Sequence, residues 1–203
     1  MNAPRPNRTA RVLALVAAIA LAGLGTGSAG ASGHGARPLT PADQQRLASF
    51  DATRAAAVAE AEAGGDAADV KELRQILAGE PQPILGVDIR GTYRCRTIKL
   101  GGPLPLTIYG WFACRIDEDD QGYRIVKTTG SQRFSGHFID DSRTRLIYFG
   151  AGHYADEKPK AYPSGPDSDQ VGYLLKVGPG RYRLELPLPR YESKFDIIEL
   201  VKQ

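Results

Sequence analysis

The sequence predicts a mainly β protein with an N-terminal helical hairpin (α+β), in which an antiparallel meander closes into a β-barrel. Three observations carry that expectation. All nine tyrosines and the single tryptophan lie after residue 81, as do all phenylalanines except Phe50. That same stretch runs in short apolar–polar alternations cut by Gly, Pro and Asp, the pattern of half-buried strands and turns. Residues 40–80 instead repeat their apolar positions every three or four residues and stop at glycines, the pattern of helices.

The chain opens with Arg5, Arg8 and Arg11 and no acid, then an apolar run from Val12 to Leu24, then small residues ending in Ala29-Gly30-Ala31. A positive start, a short apolar stretch and an A-x-A site predict a secretory signal peptide over residues 1–31. The run is shorter than the roughly 20 apolar residues a spanning helix needs. Residues 32–39 read as a disordered tail. Removing three arginines from the 26 basic residues balances the 23 acidic ones, so the mature chain is near neutral. Nucleic acid and anionic membranes demand a basic footprint, so neither is an expected partner. Export would carry Cys95 and Cys114, the only cysteines, into an oxidising compartment, where a disulfide is expected. Two free thiols, or thiols holding a metal, are the competing reading.

The elements follow in chain order. Thr40 suits a helix cap, Pro41 the first helical position and Asp43 the positive end of the dipole. Leu47, Phe50 and Arg54 recur at helical steps through an Ala-rich stretch to about Ala63, and Gly64-Gly65 ends it. Asp66 can cap a second helix with Val70, Leu73, Ile76 and Leu77 on one face and Gly79 as its stop. The barrel domain covers 81–203, with predicted strands at Thr92–Leu100, Leu104–Ile116 (broken near Gly110), Gly122–Thr129, Gln132–Ile139, Arg145–Phe149, Val171–Val177, Tyr182–Leu186 and Phe195–Val201. A meander of about eight strands leaves its edges open unless it splits or curls shut, and glycines at 91, 110, 136, 150 and 152 favour curling. The helices are expected outside the barrel or plugging one end.

Chemistry is harder to find. There is no phosphate-binding loop, dinucleotide fingerprint or nucleophile elbow. Lys127-Thr128-Thr129-Gly130 lacks the S-x-x-K that penicillin-recognising enzymes pair with it. Asp117-Glu118-Asp119-Asp120-Gln121-Gly122 lacks a calcium loop's twelfth-position acid and reads as a hairpin turn. His34, His137 and His153 make no metal-ligand spacing, and neither metal nor cofactor is expected. Two features remain. Polar strand positions, Arg96 and Arg133 with Asp169, Glu192 and Lys194, would need ion pairs wherever they turn inward, as a structural lock or as the polar end of a ligand site. The link from Gly150 to Gln170, carrying Tyr154 and Tyr162, is long enough to form a mobile recognition loop at the barrel mouth.

Several blocks belong together: Tyr93-Arg94-Cys95-Arg96-Thr97-Ile98-Lys99-Leu100-Gly101-Gly102, Tyr109-Gly110-Trp111-Phe112-Ala113-Cys114, Thr129-Gly130-Ser131-Gln132-Arg133, Asp169-Gln170-Val171-Gly172-Tyr173 and Tyr191-Glu192-Ser193-Lys194-Phe195-Asp196-Ile197. With them the chain, from about Thr40 to its C-terminus, resembles the exported bacterial family catalogued as domain of unknown function 4893. The resemblance implies a Gram-negative envelope origin, periplasmic or secreted, and names no catalytic residue. Gly91-Thr92-Tyr93 is also weakly similar to the Gly-x-Trp opening of calycin barrels, with Tyr in place of Trp, which implies a calycin-like barrel. The reading that results is an exported, monomeric, non-enzymatic binding or scaffold protein. It would hold a small apolar or amphiphilic ligand, or an envelope protein, at the barrel mouth through Arg96, Arg133, Tyr154, Tyr162, Asp169, Glu192 and Lys194. The alternatives are a periplasmic hydrolase using Arg133, Glu192 and Lys194, and an inhibitor of an exported enzyme using an exposed segment near Leu104–Ile108.

Overall fold

A computed structural model describes residues 39–203. The expected signal peptide and all of the expected tail except Leu39 lie outside the described residues. Among the described residues three helices come first: α1 (Pro41–Ala48), α2 (Phe50–Gly64) and α3 (Ala67–Leu77). Thr40 Oγ1 accepts the Asp43 N–H at 3.2 Å and Asp66 Oδ1 accepts the Ala68 N–H at 2.8 Å, so both expected caps form. The first helix was expected to run unbroken to Ala63, but it turns at Ser49. The Ser49 hydroxyl donates to the Arg46 carbonyl at 3.0 Å, the local competition by which serine unsettles a helix interior. The turn aims Phe50 between the rings of Tyr173 and Phe195, with centroids 4.7 and 5.4 Å away.

Nine strands follow, all antiparallel: β1 (Gly91–Leu100), β2 (Leu106–Ile108), β3 (Phe112–Asp119), β4 (Gly122–Lys127), β5 (Gln132–Ser142), β6 (Arg145–Tyr154), β7 (Asp169–Gly178), β8 (Arg181–Pro187) and β9 (Phe195–Lys202). β3 to β9 form a meander, and β9 returns to β1 from Tyr93↔Lys202 to Leu100↔Phe195. Eight strands thus close a barrel with no long free edge. The short β2 pairs only with the second half of β1, Ile98 to Leu100, where β3 no longer reaches it. This is the break expected near Gly110.

β6 outruns its expected length the most. β6 continues from Phe149 to Tyr154 because Gly150 and Gly152 stay in the ladder, opposite Gly136 and Phe134. Gly136 and Gly150 face each other beneath the Tyr148 ring, and a Cβ on Gly136 would sit 2.5 Å from Tyr148 Cε2. These glycines make room for a ring inside the barrel. The link beyond β6 therefore shrinks to residues 155–168.

Period-2 alternation sorts the strands into two cores. Inside the barrel lie Tyr93, Ile116, Ile125, Phe134, Phe138, Tyr148, Leu174, Tyr182, Leu184, Ile198 and Leu200. Outside, Ile98, Leu100, Tyr173, Phe195 and Ile197 meet Phe50, Ala57, Ala61, Val70, Leu73 and Ile76 of the helices. The helices lie against the barrel wall, and the connector 81–90 closes one end instead. Ile84 and Ile89 are buried in the barrel core, the Ile84 N–H donates to the Arg143 carbonyl at 2.9 Å, and the Tyr93 hydroxyl donates to the Ile89 carbonyl at 2.5 Å.

Cys95 and Cys114 are joined by a disulfide in that core, with Cα atoms 5.8 Å apart. They sit diagonally across the β1–β3 ladder, Cys95 opposite Phe112 and Cys114 opposite Tyr93. Closing a loop of this size contributes roughly 3 kcal/mol in the chain-entropy account. Charged clamps fix the helices to the wall: Arg96 binds Glu72 (2.7 Å) and Glu199 (2.8 Å), Arg54 binds Glu185 (2.8 Å), and Lys194 binds Glu60 (2.5 Å). Among the described residues no helix is long and apolar enough to cross a membrane.

Candidate functional site at the open barrel mouth

At the end opposite the plug, the strands begin or finish at Leu100, Phe112, Lys127, Gln132, Tyr154, Asp169, Pro187 and Phe195. Two loops rise over this rim, 155–168 and 188–194. Between them is a cavity of about 280 Å³ whose lining includes Lys99, Arg133, His153, Tyr154, Tyr191 and Asp196. The ring-filled barrel interior lies beneath it: the buried Tyr148 hydroxyl donates to Oε1 of Gln170, a lining residue, at 3.3 Å.

Register places the charges. Lys99 stands opposite Asp196, and Lys127 stands opposite the core residue Cys114, so both lysines take inward positions at the last turn of the barrel. The carboxylates here are already engaged. Asp196 accepts the Ser193 hydroxyl at 2.6 Å and lies 3.8 Å from Lys99. Glu192 pairs with Lys99 at 3.3 Å, and Glu157 accepts the Tyr154 N–H at 2.8 Å and pairs with Lys160 at 3.4 Å. Asp169 accepts the Ser164 N–H at 2.6 Å, and Asp167 pairs with Arg190.

The cations are not all so matched. Lys127 is only 6% exposed, yet among the described residues no carboxylate lies within ion-pair distance of it. Its ammonium rests on the Phe112 ring, 4.3 Å from the centroid, and feels the like charges of Lys99 and Arg133. Burial first, and then those two charges, push its pKa down to about 8. Arg133 donates from Nε to the Gly130 carbonyl at 3.1 Å and has no carboxylate partner among the described residues. His153, 9% exposed, lines the cavity with an Nδ1 that has no hydrogen-bond partner among the described residues. Burial, reinforced by Arg133, lowers its pKa below the usual histidine value. Burial raises the Asp196 carboxyl to about 6 against the pull of Lys99.

The 188–194 loop is held in a costly shape. Leu188 and Glu192 occupy the left-handed region at φ 48° and 69°, conformations that cost a non-glycine residue of order 1 kcal/mol or more. Lys99 Nζ fastens the loop by donating to the Tyr191 carbonyl at 3.3 Å. Tyr154 and Tyr191, 45% and 47% exposed, stand on the cavity rim. The other loop is pinned rather than free: the Tyr162 hydroxyl donates to Asp43 at 2.7 Å and accepts the Thr40 N–H at 2.9 Å, and its ring packs edge-on against Phe149.

A family model described as a domain of unknown function, DUF4893, matches residues 37–200. The chain belongs to this family. No curated protein and no solved structure matches it. In this DUF4893 barrel, the residues singled out from sequence separate into groups. Arg133, Tyr154 and Asp169 line the mouth, and Glu192 reaches its edge through Lys99. Tyr162 is buried beneath the loop. Arg96 and Lys194 serve the helix clamps on the outer wall, so Arg133, Glu192 and Lys194 do not converge in one cleft. Leu104 is exposed, but Leu106 is buried under the helices. Among the described residues no three His, Cys, Asp or Glu side chains are grouped to hold a metal.

Sequence reasoning passed over Lys127 and His153 and gave Asp196 no role. The signal for Lys127 was present: Ile125 and Lys127 share one face of β4, and that face must be the inner one if Ile125 is core. His153 was hidden because Gly150 and Gly152 suggested a loop.

Proposed function

We propose that this DUF4893 protein is an exported, non-enzymatic binding or scaffold protein that acts through its open barrel mouth, holding a small molecule with both polar and apolar parts. One observation carries the reading: the mouth cavity is lined by a buried polar atom, His153 Nδ1, that has no hydrogen-bond partner among the described residues. Buried polar groups are almost always hydrogen-bonded, and an orphan beside a cavity points to a partner that arrives with the ligand. The interior that a carrier of purely apolar molecules would need is taken by Tyr93, Phe134, Phe138 and Tyr148, so the ligand sits at the rim rather than deep in the tube. Export is supported by the N-terminal Arg–apolar–small pattern and by the buried disulfide. Native mass spectrometry of the protein purified from its own cell envelope tests the proposal. A bound species of a few hundred daltons, displaced when Tyr154 and Tyr191 are both changed to Ala, is the expected result. Retention of that species by the double variant would refute the mouth as its site.

A further inference from the structure

The mouth holds an imbalance of charge that the fold does not resolve by itself. The acids at the rim are bonded to a hydroxyl, a backbone N–H or a cation, whereas Lys127 and Arg133 have no acid partner among the described residues. An ammonium nine-tenths buried beside two other cations is unfavourable in the free protein, because desolvation and like-charge repulsion act together. An incoming anion removes both penalties at once. Both cations border the turn at Gly130. Arg133 lines the cavity, its Nε is tied to the Gly130 carbonyl at 3.1 Å, and Lys127 Nζ lies 3.6 Å from where a side chain on Gly130 would begin. Gly130 has φ 90°, a backbone region open to glycine, so the turn that both cations border carries no side chain at this position.

We infer that the mouth takes a small organic oxyanion, its carboxylate or phosphoryl oxygens set against Lys127 and Arg133 and its body against Tyr154 and Tyr191. This rests on the mouth being a binding site, as proposed above, and adds the chemical class of what it binds. Arg133 supplies a planar donor fork and Lys127 a point charge, the two usual ways of holding such oxygens. The unbonded His153 Nδ1 is a further polar atom on the same wall, available to a ligand hydroxyl or amide. The two half-exposed tyrosines offer amphipathic ring faces at the rim.

Four probes separate the possibilities: inorganic phosphate, phenyl phosphate, benzoate, and neutral benzyl alcohol of similar shape. Calorimetric titration of the full chain at low ionic strength should show saturable binding of phenyl phosphate or benzoate and none of benzyl alcohol. Binding of inorganic phosphate as tight as phenyl phosphate would assign recognition to the anion alone and refute the role given to the tyrosines. Lys127→Met and Arg133→Gln should each weaken the anion about tenfold or more, the scale of one lost charge-assisted bond. Equal binding of benzyl alcohol and benzoate, unchanged in Lys127→Met, would overturn the inference while leaving the mouth as a binding site. Absence of binding by any anion would overturn it as well, and envelope-purified protein that nonetheless carries a ligand displaced by the tyrosine substitutions would keep the broader proposal standing.

Discussion

Replacing Lys127 with Met should make the protein more stable, an unusual outcome for a change at a buried position. The folded protein holds the Lys127 ammonium with a pKa of about 8, against 10.5 for an unburied lysine. At 1.36 kcal/mol per unit, the difference is roughly 3 kcal/mol of destabilisation when the group is charged in both states. The cation–π contact with Phe112, worth about 1 kcal/mol and lost in the variant, leaves a net gain of about 2 kcal/mol at pH 7. Methionine is unbranched and of similar length, so it fills the same channel over the ring. The sign follows from proton linkage. Between pH 8 and 10.5 the unfolded chain holds this proton and the folded chain does not, so wild-type stability rises through that window. Below pH 8 the penalty is present in full, and above 10.5 it is gone. Urea unfolding at pH 7 and at pH 10.5 reads this directly, with the Met variant ahead by about 2 kcal/mol at the lower pH and not ahead at the higher. A Met variant less stable at pH 7, or a difference independent of pH, would refute the assignment of an uncompensated buried charge.

Other outcomes follow from the fold. Gly136→Ala drives a methyl into the Tyr148 ring and the facing Gly150 backbone and should cost about 1–3 kcal/mol, read as a lower urea midpoint with an unchanged slope. An unchanged midpoint would mean that the ring does not cross the glycine pair. Changing Cys95 and Cys114 together to Ser should cost roughly 3 kcal/mol, since the unfolded variant regains the loop freedom that the disulfide denies the unfolded wild type. Asp196→Asn should flatten stability between pH 4 and 6. There the folded carboxyl, with a pKa of about 6, holds a proton the unfolded chain has lost, so wild-type stability falls as pH rises through that interval. A variant with the same fall as the wild type would place the titrating group elsewhere.

How far the sequence spoke depends on which physical rule governed each element. Strand alternation is local, so all eight expected strands are present, and the caps at Thr40 and Asp66 were readable because they depend on three or four residues. The turn at Ser49 was missed because its local bond to Arg46 is only part of the cause: Phe50 is also drawn between Tyr173 and Phe195, far along the chain. Gly150 and Gly152 read as loop formers, since composition cannot reveal that Tyr148 needs their missing side chains. The candidate site was only half legible. Arg133, Tyr154 and Asp169 converge as expected of polar and aromatic residues near the mouth, whereas Arg96 and Lys194 are taken up by Glu72, Glu199 and Glu60. Whether a strand arginine meets a helix carboxylate depends on how the helices lie on the barrel, which no spacing rule supplies. Lys127 was legible in principle, but a lysine at an inward position contradicts burial preference and was read as part of a failed motif.

The most direct test of the account is the titration of Lys127 itself, followed by NMR of its Cε in protein with labelled lysine. Free protein should show a midpoint of about 8, and saturating phenyl phosphate should move it up by a unit or more as an anion settles on the ammonium. A midpoint near the usual lysine value in the free protein, or one that the anion leaves where it was, would contradict the claim that this barrel keeps a buried charge waiting for a ligand.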